Sequence, residues 1–211
     1  MLEKLRERLQ AHRPRRNTLR LREAAVLLPV VDRPEPTLLF TRRANHLNTH
    51  QGQVAFPGGK REPEDADLLA TALRESREEI NLAPDEVELL GQLSDVISLH
   101  GLRVTPYVGL IPPDLPLTPD FDELDTIFEV PLAHFLEDQR THTDVIHVDG
   151  RDYYVPSYRF PDTDGEEHII WGLSAMMLVE LLAEGFAMPI SLYERPAGKL
   201  LYHPARRIPT S

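Results

Sequence analysis

The chain has 211 residues, 41% of them hydrophobic, which suits one globular domain with modest extensions. It contains no cysteine, so a disulfide framework and a thiolate zinc site are excluded and a reducing, cytoplasmic setting is the expectation. The net charge is −11, with +5 gathered in residues 1–23 and −16 on the other 188, a poor electrostatic footprint for nucleic acid but a reservoir of carboxylates for a metal ion. No run of about 18 apolar residues is present, so no membrane span is expected. The N-terminus is charged and lacks the apolar stretch of a signal peptide.

In chain order, "MLEKLRERLQAHRPRR" predicts a short amphipathic helix with Leu2, Leu5 and Leu9 on one side, stopped by Pro14. "EAAVLLPVVD" and "PTLLFTRRA" predict two strands around the Pro-rich turn "DRPEP". "QVAFPGG" is a short apolar run ending in a turn at Pro57-Gly58-Gly59, and an acidic helix follows over residues 65–80. Strand-like runs come next in "EVELLGQLSDVI", "RVTPYVGLIP" and "TIFEVPL". "DVIHVDGRDYYVPSYRF" predicts a hairpin turning at Asp149-Gly150, and "GLSAMMLVELLAEGF" a buried final helix. One acidic helix among many strands and a terminal helix point to an α/β (α+β) domain, a mixed sheet between helices.

The acidic helix poses a physical problem. Glu75, Glu78 and Glu79 stand at i, i+3 and i+4, where like charges repel by roughly 0.2–0.5 kcal/mol per pair. At ~100° per residue, Leu69, Leu73, Ser76 and Ile80 form a stripe expected to face the core, with the three glutamates in an arc on the far side. Carboxylate oxygens suit a hard cation such as Mg²⁺ or Mn²⁺, and a bound cation turns the repulsion into attraction. Arg74, four residues before Glu78, can pair with it and orient it. The glycines before the helix permit a close backbone approach to a phosphate, although the Ser or Thr of a Walker A loop is missing after Lys60.

The stretch "GGKREPEDADLLATALRESREEINL" resembles the Nudix box, G-x5-E-x7-R-E-U-x-E-E-x-G-U, at Arg74, Glu75, Glu78, Glu79 and Leu82. It departs in three ways. The spacing from Gly59 to Arg74 is one residue longer, so that Glu62, Glu64 or Asp65 must stand in for the first Glu; Ser76 replaces the apolar residue; and Asn81 replaces the last Gly. The upstream run "LLFTRRANHLNTHQGQVAFPGGK" is similar to the signature of the coenzyme A diphosphatase subgroup. "HGLRVTPYVGLI", "IFEVPLAHFL" and "HIIWGLSAMML" are similar to that subgroup's later stretches.

The resemblance implies a Nudix fold whose loop-helix-loop is the catalytic element, with a basic N-terminal extension over residues 1–22, the domain over 23–190 and a tail over 191–211. It implies hydrolysis of the diphosphate of coenzyme A or acyl-coenzyme A to 3′-phosphoadenosine 5′-phosphate and 4′-phosphopantetheine. Glu75, Glu78 and Glu79 would hold Mg²⁺ or Mn²⁺. Arg74, Glu75 and Glu78 belong to the catalytic set, with Glu123 of "DFDELDTIFEV" favoured as general base. Arg42, Arg43, His50, Gln53, Gly58, Gly59 and Lys60 are expected to meet the substrate, the arginines at its 3′-phosphate. The partner is thus a small molecule, with no nucleic acid and no membrane, and a homodimer stays open as an assembly. The alternatives are a Nudix hydrolase of ADP-ribose or a dinucleotide, and a nucleotide-binding module without catalysis.

Overall fold

Leucines at helical spacing form the first helix, α1 (Leu2–Ala11), and it buries Leu5 and Leu9. The chain runs on to β1 (Arg22–Val31), β2 (Thr37–Arg43) and two short strands, β3 (Val54–Ala55) and β4 (Gly58–Lys60). Helix α2 (Leu68–Ile80) precedes β5 (Glu88–Gln92), β6 (Val96–Ile97), β7 (Leu102–Ile111), β8 (Leu124–Pro131) and the short α3 (Leu132–Leu136). Strands β9 (Thr141–Val148), β10 (Arg151–Pro161) and β11 (Glu167–Trp171) lead to α4 (Gly172–Glu180), which continues with π-helical bonding over Leu181–Gly185. This computed structural model describes residues 1–46, 52–98, 100–148, 150–161 and 167–194.

Strands β1 and β7 lie side by side in parallel, in register from Arg22 opposite Leu102 to Val31 opposite Ile111. Parallel neighbours need a long crossover, and α2 lies within it. The main sheet runs β3-β2-β1-β7-β5, with β4 also on β1, β6 on β7 and β8 on β2, these other pairs all antiparallel. Alternation along β1 sorts its side chains between two cores. Ala24, Leu28 and Val30 join the cluster with Leu5, Leu9, Met177 and Leu178 of the N- and C-terminal helices. Ala25, Leu27 and Val31 join the one beneath α2, with Ala72 and Ile80. The expected mixed sheet between helices is thus what the chain forms. A second sheet, β11-β10-β9, is antiparallel; its hairpin turns between Val148 and Arg151, with Asp149 outside the described residues.

The expected extension over residues 1–22 carries part of the core. A Cβ on Gly185 would lie 2.6 Å from Leu5 Cδ1, and one on Gly91 3.0 Å from Leu9 Cβ. Only glycine permits that closeness.

Two details of the acidic stretch differ from expectation. Residues 58–60 are not a turn but the extended strand β4, pairing Gly58, Gly59 and Lys60 with Val26, Ala25 and Ala24. The helix starts at Leu68, capped by the Asp67 side chain on the Ala70 amide (2.8 Å), and ends at Asn81 in the left-handed conformation (φ 57°). Its buried positions are Thr71, Ala72, Ser76, Glu79 and Ile80, whereas Leu69 and Leu73 are only partly covered. The physical reason lies in the neighbouring strand. The two glycines of β4 and the small Ala72 and Ser76 let the helix sink on its glutamate side, so Glu79 enters the core margin instead of staying clear of it.

Candidate active site

Arg74 is the hub on which the acidic residues are assembled. Its Nε and Nη2 donate to the two oxygens of Asp65 (2.9 and 3.1 Å), while Nη1 donates to Glu75 (3.1 Å) and Glu78 (3.0 Å). Nη2 also donates to the Lys60 carbonyl (3.0 Å), which ties the hub to β4. Of the three acidic residues that could have partnered Arg74 through the lengthened loop, Asp65 is the one that reaches it. Asp65 is buried, accepts from the Glu62 amide (2.9 Å) and Thr71 Oγ1 (2.9 Å), and is held well below the usual carboxylate range by Arg74. The extra loop residue hid this partner from the sequence; an acidic residue just ahead of a helix cap, with a Thr in the first turn, was the available signal.

The three glutamates occupy distinct environments. Glu78 is more than half exposed, Glu75 largely covered and Glu79 buried. The Gly58 amide donates to Glu79 Oε2 (3.0 Å). Burial pushes the Glu79 carboxyl up to about 8; the Gly58 amide opposes this, Glu75 and Glu123 add repulsion, and Arg43 lowers it. Burial also raises Glu75, against the pull of Arg74. Gly59 has a steric reason, since a Cβ there would lie 2.4 Å from Glu75 Oε1.

Glu123 approaches from the later loop. The backbone amides of Thr118 and Asp120 donate to the carbonyls of Ile80 (3.1 Å) and Glu79 (2.8 Å), which pins that loop to the end of α2. The Ala44 amide donates to the Glu123 carbonyl (2.9 Å), joining the loop to the end of β2. The expected base and metal carboxylates therefore share one neighbourhood.

The expected substrate contacts separate. Arg43 acts electrostatically on Glu79, and its buried Nε has no hydrogen-bond partner among the described residues. Arg42 lies instead beside Asp125, with Nε 4.0 Å from its carboxylate. Gln53 meets Arg43 through its carbonyl, which accepts from the Arg43 amide (3.0 Å). Lys60 pairs with Ala24 of the opposite core, so its exposed side chain leaves the sheet on the face away from Glu75; it serves the cluster through its carbonyl. A depression of about 410 Å³ touching Lys60 and Arg22 does not include Glu75, Glu78 or Glu79. His50 lies outside the described residues.

As the side chains stand, no group of three Asp, Glu or His among the described residues is drawn together tightly enough to hold an ion, because Arg74 grips both Glu75 and Glu78. The donor set nevertheless fits a hard divalent cation. It offers carboxylate oxygens only, and Glu75 and Glu79 are covered and mutually repelling, a cost that a bound cation removes.

Comparison with known proteins bears on this arrangement. Residues 21–147 match the model of the NUDIX domain. The chain shares 45% identity over 183 residues with the uncharacterized Nudix hydrolase NudL of Shigella sonnei, spanning 86% of this chain and 93% of that one. With the protein of the same name from Salmonella newport it shares 46% over 176 residues, 82% of this chain and 89% of the other. Among solved structures, an Ap4A hydrolase of C. elegans aligns at 16% identity and a TM-score of 0.46, over 52% of this chain and 80% of that one. No helix among the described residues is long and apolar enough to cross a membrane. The family match spans most of the chain, including the Arg74 hub and its carboxylates, and the chain therefore belongs to the Nudix hydrolase family.

Proposed function

We propose that the chain hydrolyses the diphosphate bond of coenzyme A and its derivatives, releasing 3′-phosphoadenosine 5′-phosphate and 4′-phosphopantetheine. The observation that carries this reading is the run over residues 38–60, whose likeness to the coenzyme A diphosphatase signature coincides with an arginine, Arg43, whose charge acts on Glu79. Nudix hydrolases use divalent cations, and Glu75, Glu78 and Glu79 are the residues that would hold Mg²⁺ or Mn²⁺ here. When bound, the cation offsets diphosphate charge and acidifies water.

The protein's own groups do the rest. Arg74 orients Glu75 and Glu78, and the Gly58 amide fixes Glu79. Glu123, anchored through its loop to α2 and β2, takes the proton of the attacking water at its carboxylate. Arg43 grips the 3′-phosphate with paired guanidinium donors, a charge-assisted contact of about 1.5–3 kcal/mol.

Mass spectrometry of products from coenzyme A, ADP-ribose and NADH with Mg²⁺ or Mn²⁺ tests the reading. Coenzyme A should yield 3′-phosphoadenosine 5′-phosphate. Dephospho-coenzyme A should be roughly 10- to 150-fold poorer in kcat/KM, a gap that shrinks in Arg43→Ala. Cleavage of ADP-ribose with coenzyme A untouched would overturn the substrate while leaving the family intact.

A further inference from the structure

Among the described residues Phe121 is the most exposed of the large hydrophobic side chains, at 66%. An exposed aromatic ring on a hydrogen-bonded loop presents a flat apolar face on which a second ring can stack. The support here is rigid. The preceding residue, Asp120, donates its amide to the Glu79 carbonyl, and its own carbonyl accepts from the amides of Glu123 (3.0 Å) and Leu124 (2.7 Å). Asp120 Oδ1 accepts from the Asp122 amide (3.0 Å), and the Asp122 carbonyl lies 3.2 Å from His46 Nε2. The ring thus stands one residue from a direct bond to a buried site glutamate.

The surroundings specify the partner. The apolar neighbours in this stretch turn inward: Leu115 and Leu117 pack on the core beneath α2, and Leu124 is buried. Among the described residues from Asp114 to Val130, no other large hydrophobic side chain is exposed beside Phe121 to form a trough for an aliphatic chain. The ring is flanked instead by the acidic Asp120 and Asp122, and nothing among the described residues pairs with the Asp122 carboxylate. One flat ring bordered by acceptors suits a planar heteroaromatic group that carries an amino donor.

We propose that Phe121 is a stacking platform for the aminated nucleobase of the substrate, and that Asp122 receives its exocyclic amine. This rests on the Proposed function only in needing a nucleotide substrate, and any adenine-containing diphosphate meets it.

Binding and kinetics test it together. The chain has one tryptophan, so Phe121→Trp introduces a second, exposed fluorophore. With Mg²⁺ present, adenosine 3′,5′-bisphosphate should quench the added emission saturably, while ribose 5-phosphate, which lacks a base, should not. Phe121→Ala should raise KM about 5- to 150-fold, the equivalent of about 1–3 kcal/mol for one stacked base, with kcat changed little and Phe121→Trp near wild type. Emission that ignores the bisphosphate, or responds equally to ribose 5-phosphate, overturns the proposal, as does a Phe121→Ala KM within twofold of wild type. If only ADP-ribose is cleaved, the coenzyme A reading fails and the Phe121 effect is read on ADP-ribose instead.

Discussion

Asp65 and Glu78 sit on the same arginine yet should respond to substitution in opposite ways. Asp65 is buried and doubly bonded to Arg74, so Asp65→Asn leaves an arginine without its main counter-charge. The cost should be about 2–4 kcal/mol, toward the lower part of what a broken buried pair costs, since Arg74 is partly exposed. Because the folded-state pKa of Asp65 is depressed, its stabilisation is present above the unfolded value of about 3.9 and is lost as pH falls below that toward the folded value. Urea unfolding of wild type and Asp65→Asn should therefore differ most at neutral pH, with the gap narrowing from about pH 4 down to about pH 2. A gap that widens in acid would contradict the pairing. Glu78 is exposed and its bond to Arg74 is an i, i+4 surface pair. Glu78→Gln should leave the melting temperature within a degree or two and lower kcat by about 100-fold or more, as expected for a group that acts on charge developing in the transition state.

At the level of elements, the decisive contact is between β4 and α2. Gly58 has φ +153°, and a Cβ there would lie 2.4 Å from the Ala25 carbonyl oxygen and 2.6 Å from Val26 Cα, both backbone atoms of β1. Neither can yield without opening the strand pair, so Gly58→Ala should destabilise by about 3 kcal/mol or more. At Gly59 the clash is with the end of the Glu75 side chain, which can swing away. Gly59→Ala should therefore fold at near-normal stability and lose activity, because the displaced Glu75 leaves Arg74. Thermal melts and turnover of the two variants separate the cases; equal loss of stability in both would show that Glu75 is immovable.

For the whole molecule, two forces that meet in one fold can be measured apart. α1 closes the core far from the carboxylates, and Leu5 is fully buried against Gly185. Leu5→Ala should cost about 2–5 kcal/mol while leaving kcat unchanged at temperatures where the protein stays folded. At the opposite layer, Mg²⁺ or Mn²⁺ should raise the melting temperature, by the equivalent of about 2.7 kcal/mol at a hundredfold excess over Kd. Combined Glu75→Gln, Glu78→Gln and Glu79→Gln should abolish that shift and raise the metal-free stability, since buried Glu79 and Glu75 repel each other. A metal shift that survives the triple substitution would move the ion elsewhere.

The elements and the identity of the acidic helix were legible in the sequence because they rest on local periodicity and on composition. Leu5 and Leu9 at helical spacing, the alternation through β1 and the Arg74–Glu79 segment all report on near neighbours in the chain. The sequence alone also joined Glu75, Glu78 and Glu79 on one helix. Tertiary structure decided whatever depends on which strand a residue faces. Pairing with β1 made Gly58–Lys60 a strand and directed the Lys60 side chain away from Glu75. Packing on β4 rotated α2 so that Glu79, and not Leu73, is buried. The fold of the loop before α2 brought Asp65 to Arg74 across a spacing that the sequence left open among three residues. It also separated Arg43, whose charge acts on Glu79, from Arg42, beside Asp125. Periodicity carries the hydrophobic effect along one element, whereas burial of a charge and the choice of its partner are set by the chain segments that close over it.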